Sequence, residues 1–387
     1  MKVNWPLFAL AIGAFGIGVT EFTPMGILPM IAADLKVSIP TAGLLVSAYA
    51  MGVLVGAPVM TLGLARVPRR ALLIGLMAVF TVGNLLAALS GSYAMLFVAR
   101  IITSFCHGAY FGVGSVVAMS VVAPDRRAGA VATMFSGLTI ATIGGVPMAA
   151  WVGAMFGWRA AFWGITAVGV IAMIALRAAL PPLPVKGDVD IRAEVRVIGR
   201  GPVLSALALT VIGSSVMFTV FTYIVPILKN ATGVSQGFVT AMLVVYGVGL
   251  TVGNLVGGRF ADRSVDGTII AALTASMVLL IAFALGMHSP FAAAPLIFLW
   301  GVASFAVVAP LQTRVMDKAH DAPNLASALN IGAFNLGNAI GAALGGAVID
   351  AKLGYPMIPV AGAVMAGAGL VLLMVLRQVH PAKPAAA

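Results

Sequence analysis

The chain has 387 residues, of which 61% are hydrophobic and 9% charged, and its mean hydropathy is +1.10. Soluble domains carry about 25% charged residues, so a water-soluble globule is excluded, as are disordered, collagen-like and disulfide-built chains. The net charge of +11 would point to nucleic acid on a soluble protein; on a membrane protein it reports orientation, and no nucleic-acid partner is expected.

Lipid is therefore the solvent for most of the chain, and a membrane-crossing helix needs about 20 apolar residues. Polar breaks divide the sequence into twelve such segments: Trp5–Ala33, Pro40–Ala65, Ala71–Leu89, Tyr93–Val122, Ala128–Phe156 and Trp158–Leu180, then Pro202–Leu228, Val234–Ala261, Thr268–Met287, Pro290–Met316, Leu325–Ala351 and Tyr355–Leu376. The first is too long for a cleaved signal peptide and carries an acid. The expected fold class is an all-α membrane protein, with twelve transmembrane helices in two six-helix pseudo-symmetric bundles. Residues 1–180 form the first bundle, 181–201 a cytoplasmic linker and 202–387 the second. Within the linker Ile191, Val195 and Ile198 recur at helical spacing between charges, which fits either a surface amphipathic helix or a plain solvated connection.

The basic residues orient these segments. With the N-terminus inside, Lys36, Arg159, Lys229 and Lys352 lie on the outside and Arg100 within a span. All the rest of the 22 basic residues fall on the cytoplasmic side. This bias places both termini in the cytoplasm. The outside loops are too short to form a binding domain.

Shifting the chain by 197 residues superposes its halves. Tyr49, Gly52, Gly56 and Arg66 fall on Tyr246, Gly249, Gly253 and Arg263; Pro29 falls on Pro226 and Gly157 on Gly354. Two parallel six-helix repeats follow, an architecture that places a substrate site between them near the bilayer midplane. Glycines four apart (Gly249, Gly253, Gly257; Gly337, Gly341, Gly345) let helices approach closely, for static packing or for a sliding contact. Pro24, Pro29, Pro58, Pro147, Pro226 and Pro310 lie inside spans, where each frees a backbone carbonyl.

The segment Gly258-Arg259-Phe260-Ala261-Asp262-Arg263 resembles the Gly-x-x-x-Asp-Arg loop signature of the major facilitator superfamily. The equivalent loop of the first half keeps Arg66 and the pair Arg69-Arg70 but has Thr61 and Ala65 where the signature has Gly and Asp. The resemblance assigns Arg66, Arg69, Arg70, Gly258, Asp262 and Arg263 to the cytoplasmic gate. Arg100 sits where drug:proton antiporters of this superfamily carry a buried Arg, without the usual Gln-Gly after it. Gly144-Gly145-Val146-Pro147 resembles the antiporter Gly-Pro signature, with Val inserted. Thr20-Glu21-Phe22-Thr23-Pro24-Met25-Gly26-Ile27-Leu28-Pro29 and His107-Gly108-Ala109-Tyr110-Phe111-Gly112 are similar to bacterial exporters of sugars, purine nucleosides and chloramphenicol. The resemblance implies proton-coupled efflux of a small organic molecule, in the bacterial inner membrane and as a monomer. Uptake by proton symport, or facilitated diffusion, is the alternative on the same fold.

Charge inside the spans leads to the same residues. Ten of the eleven acids lie in loops or near span ends; Glu21 alone is central, as is His107 among the four histidines. A charge at the bilayer centre costs about 2.5–3.5 kcal/mol even on the lenient insertion scale. Burial favours a carboxyl's neutral form, so Glu21 is either the proton carrier or a side chain that only ties span 1 to span 4. Arg100 and His107, seven residues apart, share one helix face. Arg100 keeps its proton and either tunes Glu21 and binds substrate or forms a fixed ion pair. Histidine is the side chain whose ordinary range lies near neutrality, so His107 is a proton relay, a substrate ligand or a packing residue.

At the 197 offset Glu21, Arg100 and His107 pair with Phe218, Ile297 and Ser304, so the ionisable chemistry belongs to the first half. Expected substrate contacts are Glu21, Tyr49, Arg100, His107 and Tyr110 from that half, and Phe221, Tyr223, Tyr246, Gln312, Asn330, Phe334 and Asn335 from the second. Apolar walls with a few polar groups suit small amphipathic molecules. There is no His-Glu-x-x-His, Gly-x-Ser-x-Gly, phosphate-binding loop or Cys/His metal cluster. Enzyme chemistry, bound metal and any cofactor beyond the coupling proton are not expected.

Overall fold

In the computed structural model the described residues are 4–64, 66–123, 127–182, 199–319 and 323–379. Among them are twelve helices long and apolar enough to cross a membrane, and no strand. The first half comprises α1 (Trp5–Asp34), α2 (Ile39–Gly63), α3 (Arg69–Ala88) and α4 (Tyr93–Ser120), then α5 (Arg127–Ile140 and Val146–Phe156, joined by a π turn) and α6 (Trp158–Ala179). The second comprises α7 (Gly201–Phe221, then Ile224–Ile227), α8 (Gln236–Ala261), α9 (Val265–Gly286), α10 (Pro290–Ala306 and Val308–Lys318), α11 (Pro323–Asp350) and α12 (Met357–Val379). The connection carrying Ile191, Val195 and Ile198 lies outside the described residues, as does Ala65.

Proline decides where the expected straight spans break. A proline has no N–H to give the carbonyl four residues earlier. Pro147 frees Ile143, inside the π turn Ala141–Gly145. Pro226 frees Thr222, where α7 is interrupted, and Pro310 frees Ala306, beside the break at Val307. Helix starts follow ordinary capping: Asn4, Ser92, Ser235 and Ser264 accept from Leu7, Met95, Phe238 and Gly267 amides.

The repeat is visible in the backbone. Gly157 and Gly354, one repeat apart, both turn with φ of 87°, and Lys36 and Gly233 share left-handed values of 53° and 71°. Helix pairings repeat as well: α2 packs on α4 as α8 on α10, and α1 on α5 as α7 on α11. Across the halves α2 meets α11 and α8 meets α5, the swap expected of a two-fold. One core belongs almost wholly to the first half, around Leu76, Phe80, Tyr110 and Phe162. The other, around Trp300, Phe283 and Tyr246, also takes in Phe22, Met25, Leu28 and Val46, so α1 and α2 each contribute a face to both cores.

The glycine ladders serve close packing within one half. A methyl on Gly249, Gly253 or Gly257 would overlap the α10 carbonyls of Phe298, Val302 and Ala306. One on Gly337, Gly341 or Gly345 would overlap the α7 carbonyls of Val211, Ser215 and Thr219. The contacts between halves use other glycines: Gly247 against the π turn at Thr142, Gly43 against Tyr223, and Gly332 against Leu54.

Candidate functional site

Glu21 sits in the third turn before Pro29 on α1, with 8% of its surface exposed; Arg100 and His107 on α4 are 1% and 6% exposed. His107 Nδ1 lies 4.0 Å from a Glu21 carboxylate oxygen and 3.1 Å from the Tyr49 hydroxyl. The Arg100 guanidinium stacks over the Tyr49 ring at 4.2 Å, an arrangement that favours a cation. Tyr49, from α2, is thus the piece that touches both α4 residues. His107 also packs against Phe111, and Phe111 stacks on Phe135.

No hydrogen bond or ion pair within 4.0 Å joins Arg100 to Glu21, which departs from the fixed ion pair considered for them; His107 is the partner Glu21 has at that distance. Arg100 instead donates through Nη1 to the Thr20 carbonyl at 2.8 Å and to the Thr20 hydroxyl at 3.3 Å. The reason is local. Thr20 lies four residues before Pro24, which has no N–H to engage that carbonyl. The Thr20 hydroxyl donates to Asn84 Oδ1 at 2.6 Å, and Asn84 Nδ2 donates to the Phe80 carbonyl at 2.9 Å. A chain of hydrogen bonds from α3 through α1 thereby positions the α4 cation. Arg100 Nε and Nη2 are buried with no hydrogen-bond partner, leaving two donor nitrogens free for a bound molecule.

Pro24→Ala tests this seat. The new amide reclaims the Thr20 carbonyl, and a charge-assisted bond worth about 1.5–3 kcal/mol is weakened. The helix gains a backbone bond, so the melting temperature is expected to hold or rise while transport falls severalfold. Parallel thermal melts and transport assays check the split; unchanged transport would show that Arg100 does not need this acceptor.

The second half supplies neutral groups. Tyr246, one repeat from Tyr49, stacks on Phe221 at 4.5 Å and lies 4.6 Å from Trp300. Trp300 Nε1 is buried without a hydrogen-bond partner, and the Tyr246 and Ser304 hydroxyls are buried close to each other. Phe22, next to Glu21, meets Phe218 and Phe221 at 6.0 Å each, so the charged cluster and the aromatic one are neighbours across the two halves.

Other expected contacts lie elsewhere. Tyr110 donates to the Leu10 carbonyl inside the first core, and Tyr223 donates to Ala342 beside Gly43, at the end away from the termini. Both hydroxyls are spent on helix carbonyls. Asn330 donates to Gln312 at 2.6 Å and Gln312 to Ser327 at 3.0 Å, a separate network between α10 and α11. Asn335 donates to Ile331 and keeps a free buried carbonyl oxygen; Phe334 packs partly buried on the second core. Gly145 faces Val19 and Phe15 of α1, where a methyl would clash, while Gly144 faces open space. With Pro147 they make the π turn that seats α5 between α1 and α8.

The loop residues lie at the end of the bundle that carries the termini. Arg66 is exposed, Arg69 is half-buried, and Arg70 donates to the Arg177 carbonyl. At the end of α8 Gly258 is half-buried and Asp262 exposed, and Arg263 lies over the Phe260 ring at 5.7 Å. Sequence reading missed two anchors: Arg314–Asp266–Arg377 at this end, and Asp34 with Arg159 and Trp158 at the other. It also missed Thr20, Asn84, Trp300 and the pairing of Tyr49 with His107. Asn84, the only Asn in a first-half span, was the available signal. Among the described residues no group of three or more His, Cys, Asp or Glu is placed to hold a metal.

Among the described residues, twelve membrane-length helices in two repeats, with one acid in the buried set beside their junction, define a membrane carrier. Residues 10–331 match the Major Facilitator Superfamily model, and the chain belongs to that family of small-solute transporters. It is 54% identical over 381 residues to the inner membrane transport protein YdhP of Escherichia coli K12, covering 98% of each chain. It is 32% identical over 341 residues to a chloramphenicol resistance protein of Streptomyces lividans, covering 87% of each. A bacterial homolog of the human lysosomal transporter Spinster shares the fold, with a TM-score of 0.69 at 16% identity, over 97% of this chain and 96% of that one.

Proposed function

We propose that the protein exports a small amphipathic organic molecule across a bacterial inner membrane in exchange for a proton, by alternating access of its two halves. The observation that carries the reading is Glu21. It is the one acidic side chain in the buried set among the described residues, and it shares a site with His107 at 4.0 Å. An acid kept in a dry span is costly unless it is used. In this reading Glu21 takes up a proton from outside and gives it up inside, with His107 and Tyr49 as the adjoining relay. Arg100 Nε and Nη2 hydrogen-bond an acceptor on the substrate, and Tyr246, Trp300 and Phe221 hold its apolar face. The relative named for chloramphenicol resistance supports a small organic substrate, and the one named for inner membrane transport supports the membrane. The basic residues concentrated at the end carrying the termini support cytoplasmic termini. Each chain holds both halves of the site, so a monomer suffices.

The test uses inverted membrane vesicles with an acidic lumen, challenged with phenicols, pentoses, nucleosides and lipophilic cations. A transported compound is expected to draw protons out and accumulate inside. Accumulation driven by the proton gradient only in right-side-out vesicles would overturn export in favour of uptake.

A further inference from the structure

Outside the central site, a groove of about 660 Å3 opens on the surface between α8, α9 and α10. Its floor is apolar, with Gly257 from α8, Ala271 and Ala275 from α9, and Val302, Ala303 and Ala306 from α10. Its mouth, at the end of the bundle that carries the termini, holds Phe260, Arg263 and Ser264. From Thr268 to Leu279 on α9 a helix rises about 16 Å, which is half of a hydrocarbon core about 30 Å thick. The groove therefore runs the depth of one leaflet, with a cation at the height of the headgroups.

The repeat supplies a comparison within the molecule. One repeat earlier, the positions of Gly257, Gly267, Ala271 and Val302 are occupied by Met60, Arg70, Ile74 and Phe105. At these four positions the first half carries the larger side chains, while Phe260 and Leu279 pair with the smaller Gly63 and Val82. The charges at the mouth favour an anion. Arg263 is exposed and stacked over the Phe260 ring, Arg259 is exposed one turn before it, and Asp262 is the acid beside them. The next acid, Asp266, is bonded by Arg314 and lies 3.8 Å from Arg377, which leaves Arg263 to a ligand.

We propose that this groove holds one anionic phospholipid of the leaflet on the side of the termini, with an acyl chain along Ala271, Ala275 and Val302 and the headgroup phosphate on Arg263. Arginine is suited to such a phosphate by its planar fork of donors, and a basic residue next to an anionic leaflet surface is favoured. An acyl chain in the groove also covers apolar surface left open among the described residues.

Native mass spectrometry of the full chain with phosphatidylglycerol or phosphatidylcholine tests this. The wild-type protein is expected to retain one phosphatidylglycerol per chain at activation energies that strip the remaining lipid. Ala271→Ile and, separately, Val302→Phe copy the residues of the first half and fill the groove; each is expected to lower that retention at least tenfold. Both are read beside a thermal melt, so whichever variant remains folded decides. Arg263→Gln is expected to remove the preference for phosphatidylglycerol over phosphatidylcholine while still binding lipid. Equal retention by a folded, filled variant, an unchanged preference in Arg263→Gln, or a dimer joined through this face in place of bound lipid would overturn the proposal.

Discussion

Glu21→Gln is expected to bring proton-driven transport down to the level of vesicles that lack the protein, while exchange of substrate across equal pH continues. Glutamine matches the shape of glutamate but neither binds nor releases a proton at this position. The hydroxyl of Tyr49 still meets His107 at 3.1 Å, and Arg100 keeps its bonds to Thr20, because neither contact involves Glu21. Replacing a buried acid by a neutral isostere also removes a desolvation cost, so the melting temperature is not expected to fall. The measurement pairs a pH jump across inverted vesicles with counterflow at equal pH. Loss of the first with survival of the second assigns the coupling proton to Glu21. Unchanged gradient-driven accumulation would transfer that role to another group.

Gly253→Val is expected to cost folded protein outright. Gly253 rests against the Val302 carbonyl on the neighbouring helix of the same half. Overpacking of side chains typically costs about 1–3 kcal/mol, and here the obstacle is backbone, which cannot rotate aside. The yield of monodisperse protein and the melting temperature should both drop. Gly247→Val is the informative contrast. Gly247 presses equally closely on the Thr142 carbonyl, but that contact joins the two halves and can open without unfolding either. This variant is expected to melt close to the wild type and to transport poorly. A Gly247→Val protein that transports normally would show that α8 and α5 need not close to this distance during the cycle.

The twelve spans were legible because lipid leaves a chain few options: every backbone polar group must be satisfied within a helix, and apolar length is easily read. Helix breaks were less so. The sequence shows Pro147, Pro226 and Pro310, yet whether a freed carbonyl makes a π turn, an interruption or a mild bend depends on the packing around it. Glu21, Arg100 and His107 stood out as rare charges in an apolar chain. Their partners did not, since Thr20, Tyr49 and Asn84 are ordinary residues until helix rotation aims them. Tyr110 and Tyr223 illustrate the converse: buried hydroxyls promising in sequence, each committed to a helix carbonyl. The glycine ladders were visible as spacing, but only packing distinguishes a ladder inside one half from a contact between halves.

In the proposed cycle the first half brings to the site a permanent positive charge on Arg100 and one acid, Glu21, that changes state, while the facing half brings neutral groups. For a one-for-one exchange, the electrical work of the cycle then depends on the cargo. A neutral molecule traded for a proton moves one elementary charge per turnover, and the membrane potential adds about 2.3 kcal/mol per 100 mV to the force of the pH gradient. A monovalent cation traded for a proton moves none, and voltage drops out. Whether such a carrier works against a given compound is thus set by the compound's own charge as much as by its fit.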